Sequence, residues 1–211
     1  MADILILANS KKKGGYCVAG KEIMSNKWFR LVGDSMGSEL NLSQITYSDL
    51  ANRIKSVPYE PLCKTLRMDL GNTVPLLYQP ENVLINQNLG QEITNTQSNI
   101  IYDTPPDLWG IGDRINASDI EQGLIKITQS LYFIQVTNLQ FYTNDYKKRR
   151  AIFQYGNNSY DLGATMDPSV FDNILSGQRV HSNVVTVSLG EPFFNQHSNQ
   201  HEHYKLVAAV F

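Results

Sequence analysis

Gly15-Tyr16-Cys17-Val18-Ala19-Gly20-Lys21 fits G-x-x-x-x-G-K, the spacing at which a glycine-rich loop cradles phosphates and its lysine reaches them. That chemistry also needs a Ser or Thr next, to hold Mg²⁺, and a helix whose N-terminus faces the anion. Glu22 stands in the next position, and the strand-like Lys27–Val32 follows almost at once. A glycine-punctuated hairpin is the better reading, and nucleotide hydrolysis is not expected here.

Two basic clusters could hold phosphate. Lys11-Lys12-Lys13 precedes Gly14-Gly15, with Lys21, Lys27 and Arg30 close in sequence. Lys147-Lys148-Arg149-Arg150 lies beside Tyr142, Tyr146 and Phe153. Rings that stack on bases for ~1–3 kcal/mol each, next to cations that follow the backbone, are the ingredients of single-strand binding. The competing readings are a solvated turn for the first cluster and a polar hairpin tip for the second. Alternation turns Phe153 and Tyr155 inward and leaves Tyr142 and Tyr146 as exposed rings. His197, His201 and His203 have ligand chemistry, but their Asn/Gln/Ser-rich setting between two strands reads as a loose loop, and no metal site is expected. His181 is single and reads as structural. H-E-x-x-H does not occur and no catalytic residue is proposed, so the chain reads as a non-enzyme without a cofactor.

Composition sets the frame for these groups. The 211 residues suffice for one medium domain or two small ones, and a net charge of −2 gives no global field to attract nucleic acid. An anionic ligand would therefore have to be held by a local patch. Cys17 and Cys63 are the two cysteines, and they read as reduced thiols. No apolar run approaches the ~20 residues of a membrane-spanning helix, and the N-terminus lacks signal-peptide character. The expectation is a cytoplasmic protein without a membrane partner.

Short apolar or alternating runs between turn residues favour strands. Ile4–Ala8 is apolar on both faces. Lys27–Val32 alternates, with Trp28, Arg30 and Val32 on one side. Leu62–Met68 and Val83–Asn86 are weaker strands. Leu131–Tyr142 is a long strand whose alternation slips near Thr137 and Asn138, as a bulge would cause. A turn at Thr143-Asn144-Asp145, a hairpin turn at Gly156-Asn157-Asn158, and strands over Val184–Leu189 and Tyr204–Phe211 complete the pattern. Helices are few: one from Asp167 with Pro168 first and Gly177 last, one over Tyr47–Lys55, and one over Asp119–Ile125 capped by Ser118. The polar stretch Gly90–Asn116, which carries Trp109, reads as an exposed, mobile connector. The expected fold is mainly β with a few short helices, as two tandem small β-barrels over 1–116, connector included, and 117–211.

Several segments resemble the dual OB-containing domain family of prokaryotes. Ile4-Leu5-Ile6-Leu7-Ala8-Asn9-Ser10 with Gly14–Gly20 resembles its opening, with Tyr16 where Arg is usual. Lys27-Trp28-Phe29-Arg30 resembles its Trp-x-Arg-Pro strand, with Leu31 in place of Pro. Gln79–Ile85, Ser188–Phe193 and Tyr204–Ala209 resemble further elements in the family's order. The resemblance implies two oligonucleotide/oligosaccharide-binding (OB) barrels and recognition of nucleic acid or nucleotides, within bacterial conflict or phage-defence systems. It supplies no catalytic residues.

The leading expectation is a module for single-stranded nucleic acid, RNA or nucleotide. Lys11, Lys12, Lys13 and Arg30 would contact phosphate on the first unit and Lys147, Lys148, Arg149 and Arg150 on the second, with Tyr16, Trp28 and Tyr146 as stacking surfaces. The alternative is an adaptor for a protein partner, which the Tyr-rich, near-neutral composition suits. A third reading is an enzyme acting on a nucleotide.

Overall fold

The computed structural model describes residues 2–12, 15–33, 65–68, 73–76, 79–85, 91–93, 102–177 and 183–211, and every structural statement below concerns these. The predicted helix over Tyr47–Lys55, Lys13, Cys63 and His181 lie outside them, as do the side chains of Lys11, Lys12 and Tyr16.

The first sheet contains β1 (Ala2–Lys12), β2 (Gly15–Glu22), β3 (Trp28–Val32), β4 (Thr65–Met68), β5 (Thr73–Leu76), β6 (Gln79–Ile85) and β7 (Gln91–Ile93). Its order is β5-β6-β3-β2-β1-β4-β7, and β3 runs parallel to β6. Ile4, Leu5, Ile6 and Leu7 are all fully buried, so β1 is covered on both faces as its uninterrupted apolar sequence requires.

The second sheet contains β8 (Arg114–Asn116), β9 (Leu131–Gln135), β10 (Thr137–Thr143), β11 (Arg149–Tyr155), β12 (Asn158–Ala164), β13 (Val184–Asn195) and β14 (Gln200–Val210). Its path is β10-β11-β12-β14-β13-β9, with β12 parallel to β14 and β8 paired to β14. Only Val136 separates β9 from β10, so the two act as one bent strand and the path returns on itself as a five-stranded barrel. The bend is where the alternation slips. Asn138 has φ +56° and the β10–β11 register shifts between Thr137 and Gln140. The first sheet repeats the pairings of a three-strand meander and a parallel step, so the chain is mainly β and built of two tandem OB units.

Helices are short. The structure bears out the helix from Asp167: α2 spans Pro168–Leu175, the Asp167 carboxylate accepts from the Ser169 amide at 2.6 Å, and Gly177 leaves it at φ +98°. The expected helix over Asp119–Ile125 is displaced. Here α1 spans Ala117–Glu121, straight after β8, with Asn116 rather than Ser118 at its N-cap and no side-chain cap bond. No described helix is long and apolar enough to cross a membrane.

The connector expectation is corrected over its described part. Leu108 and Trp109 are buried, the Trp109 indole donates to the Gln129 carbonyl at 3.0 Å, and its ring stacks on Tyr132. Asn and Thr content masked two apolar anchors that bind this segment to the second barrel.

The barrels share a core. Leu5, Leu7, Ala8, Ala19 and Trp28 of the first pack against Leu131, Phe133, Val184, Ala208, Ala209 and Phe211 of the second. A bulge between Ile6 and Ala8 frees the Leu7 carbonyl from the ladder, and it accepts the Thr186 hydroxyl at 2.6 Å across the junction.

Candidate functional site

The proposed site residues whose side chains are described go to two places. Lys21, Trp28 and Arg30 are buried at the junction. Asp103 receives the Lys21 ammonium at 2.8 Å, the Trp28 indole at 2.9 Å and the Phe133 amide at 2.7 Å. Burial lowers the Lys21 pKa, while the hydrogen bond and charge of Asp103 oppose that shift. The Arg30 Nε donates to Glu81 at 2.6 Å, and its Nη2 reaches Ser130 at 2.9 Å and Ser188 at 3.2 Å. Glu81 also accepts from the Ser130 amide and hydroxyl. The expectation that Arg30 meets phosphate and Trp28 stacks on bases is therefore corrected: both hold the barrels together. The nucleotide-loop lysine Lys21 has the same fate, and the glycine before it answers to packing. A Cβ on Gly20 would lie 2.1 Å from the Leu5 carbonyl oxygen.

The second basic cluster stays at the surface. Asn144 organises its turn, its side chain accepting from the amides of Tyr146 at 3.2 Å and Lys148 at 2.9 Å. Lys147 takes φ +57°, and its amide donates to the Asn144 carbonyl at 2.8 Å. The turn thus presents Tyr146, which is 83% exposed, with Lys147 and Lys148 beside it. Neither lysine has an ion-pair partner among the described residues.

A cleft of about 450 Å³ opens next to this turn. Lys147, Lys148, Arg149, Arg150 and Arg114 line it, with Asp113 as its one carboxylate and with Thr165, Tyr204 and Leu206 on its floor and walls. Arg150 is fixed by Asp161 at 3.0 Å and Asp113 at 3.1 Å, which with their charges hold its pKa above the ordinary guanidinium value despite burial. Arg149 makes a longer, exposed pair with Asp172 at 3.5 Å, of a kind worth at most ~1 kcal/mol and readily exchanged for phosphate. Tyr142 is half-buried, its hydroxyl donating to Asp161 at 2.6 Å, so it supports Arg150 instead of offering a free ring.

Sequence reasoning missed Arg114 and Tyr204. The Arg114 guanidinium lies 5.1 Å from the Tyr204 ring centroid, and Tyr204 stacks on Phe193 at 4.4 Å with 7° between planes. Arg114 is held there by Asp113 and Glu202, each at 3.1 Å. Arg114 was hidden inside the supposed connector. A signal existed in Asp113-Arg114-Ile115-Asn116, whose apolar Ile115 between polar neighbours marks the short β8.

The histidines do not share a loose loop. β13 and β14 extend past their expected ends, Asn195 pairs with Gln200, and His201 and His203 lie on β14. His203 is buried, with Nδ1 2.8 Å from the Gly190 carbonyl oxygen. Among the described residues no group of three or more His, Cys, Asp or Glu could hold a metal ion.

Two barrels with the OB strand order, and a cationic cleft beside the turn that joins the first two strands of the second barrel, define an OB-fold binding module. The sequence profile of the dual OB-containing domain family matches residues 2–210, and the chain belongs to that family. Comparison with curated proteins and with solved structures finds no match.

Proposed function

We propose that the chain is a non-catalytic module that binds single-stranded nucleic acid in the cleft of its second barrel. The supporting observation is the cleft itself, a space of about 450 Å³ at which Lys147 and Lys148 are unpaired among the described residues, while Arg150, Arg114 and Arg149 are paired with Asp161, Asp113, Glu202 and Asp172. Oligonucleotides favour this region of an OB barrel, the face of its second and third strands with the adjoining loops. Here those strands are β11 and β12, and the adjoining turn carries Lys147 and Lys148. Phosphates would be met by Lys147, Lys148 and Arg149, and bases by the exposed Tyr146 ring. Lys11, Lys12, Lys13 and Tyr16 remain proposed contacts of the first unit. The proposed domains are 1–116, a first unit with a connector that packs against the second barrel, and 117–211, and recognition of foreign strands would suit the cytoplasmic conflict or phage-defence setting that the family resemblance implies.

Filter binding of mixed single-stranded oligonucleotides tests this reading. Saturable binding that weakens as salt rises is expected, because condensed counterions are released. Micromolar or weaker affinity without salt dependence would argue against it, and co-purification of a stoichiometric protein without nucleic-acid absorbance would favour the adaptor.

A further inference from the structure

We propose that a strand bound in the cationic cleft continues past Leu206 along the mouth of a crevice at the junction of the barrels and places one hydrogen-bond donor in it, so that both barrels hold one ligand. This rests on the reading above and adds a second subsite to it. The crevice is about 50 Å³ and is lined by Ser10, Cys17, Arg30 and Gln79 from the first barrel, facing Thr165, Leu206 and residues 188–191 from the second, where Glu191 adds a carboxylate that disfavours phosphate and favours a donor. Thr165 and Leu206 also line the cleft, so the two spaces meet along these residues. Little separates them. A Cβ on Gly163, in the cleft, would lie 3.0 Å from Leu206 Cδ2, and one on Gly190, in the crevice, 3.6 Å from Leu206 Cδ1. Two glycines thus flank the half-buried leucine that divides the spaces, and neither adds a side chain to the divide.

The crevice has its own chemistry. Gln79 lines it, and the buried Gln79 Oε1 has no hydrogen-bond partner among the described residues. An unpaired buried acceptor is unfavourable, and a ligand donor would satisfy it. Arg30 is no free anion partner here, because Glu81 neutralises it. The volume matches roughly two waters. A ribose 2′-hydroxyl or an exocyclic base amine fits these terms, whereas a phosphate or a whole base does not.

Cys17 reports on occupancy. Its maleimide labelling in the full wild-type chain would be followed by mass spectrometry of its peptide, with single strands of about four and about sixteen nucleotides, the range of site sizes for one OB barrel. The long strand is expected to slow Cys17 labelling several-fold and the short one to leave it unchanged. Gln79→Leu is expected to weaken the long strand several-fold and spare the short one. Loss confined to RNA assigns the donor to the 2′-hydroxyl, and equal loss with DNA assigns it to a base amine. If the long strand binds in a salt-dependent way, yet Cys17 labelling and the Gln79→Leu affinity are unchanged, the second subsite is wrong while the cleft reading stands. If neither strand binds, the cleft reading itself is wrong.

Discussion

Arg30 and Glu81 show how context redirects a side chain. A lone arginine near lysines reads as a phosphate contact, but on β3 it faces a buried carboxylate and two serines from the other barrel. Removing one partner of such a pair strands the other and typically costs ~3–5 kcal/mol. Arg30→Met is expected to lower stability on that scale in urea unfolding, and Arg30→Met with Glu81→Leu to recover much of it. Burial works against the Glu81 charge, but Arg30 and the hydrogen bonds from Ser130 and Arg30 outweigh it and hold its pKa below the ordinary carboxylate value. The pair therefore stabilises fully above the unfolded pKa of ~4.3, and its contribution is lost as pH falls through the lower folded value. Lys205 has the opposite balance of causes, with burial winning, but the same sign of pH dependence. Its ammonium is buried and donates to the Gly110 carbonyl at 2.7 Å, and burial lowers its pKa from 10.5 to about 8 against the pull of Asp107 and Asp113. Between those values the unfolded chain binds more protons, so stability should rise with pH across that window. Lys205→Met is expected to flatten that rise in urea midpoints measured across it.

At the scale of elements, the sequence was most legible where a local rule acts alone. Asp167-Pro168 opened α2, Gly156-Asn157 turned a hairpin, and the slip at Thr137 and Asn138 marked the bend that closes the second barrel. It was least legible where a partner distant in sequence decides. The G-x-x-x-x-G-K spacing is an instance, since Gly20 is required by the Leu5 carbonyl and Lys21 by Asp103. Gly20→Ala is thus expected to destabilise the fold by ~1–3 kcal/mol or more through overpacking. Thermal unfolding checks this. An unchanged midpoint would reopen the phosphate-loop reading. Likewise, the Asn/Gln/Ser-rich composition around the histidines reads as a loose loop because the extension of β13 and β14 depends on their pairing with each other and with β8.

For the whole molecule, the tandem architecture followed from short strands and family-like segments, whereas the junction did not. Its apolar residues, such as Leu7, Phe133 and Phe211, look like ordinary core residues of either barrel and meet only in the folded chain. The shared core, with the Arg30 and Asp103 bonds across it, should make both barrels unfold in one transition. Phe133→Ala, at a fully buried site, is expected to cost ~3–5 kcal/mol and to keep a single transition. Two resolved calorimetric transitions in the wild type would show that the junction couples the barrels weakly. Such coupling matters to function, because the cleft and the crevice can act on one ligand only if their spacing is fixed.

The cationic cleft carries the functional account, and a salt titration of single-strand binding tests it most directly. Affinity for a labelled oligonucleotide would be measured across a salt series for the wild type and for Lys147→Glu with Lys148→Glu, both exposed residues whose replacement leaves the core untouched. Each phosphate contact on a single strand contributes about 0.7 to the slope of log affinity against log salt. The double variant should therefore bind more weakly and lose about 1.4 or more from that slope. Equal affinity and equal slope in the two proteins would contradict the assignment of the ligand to this cleft.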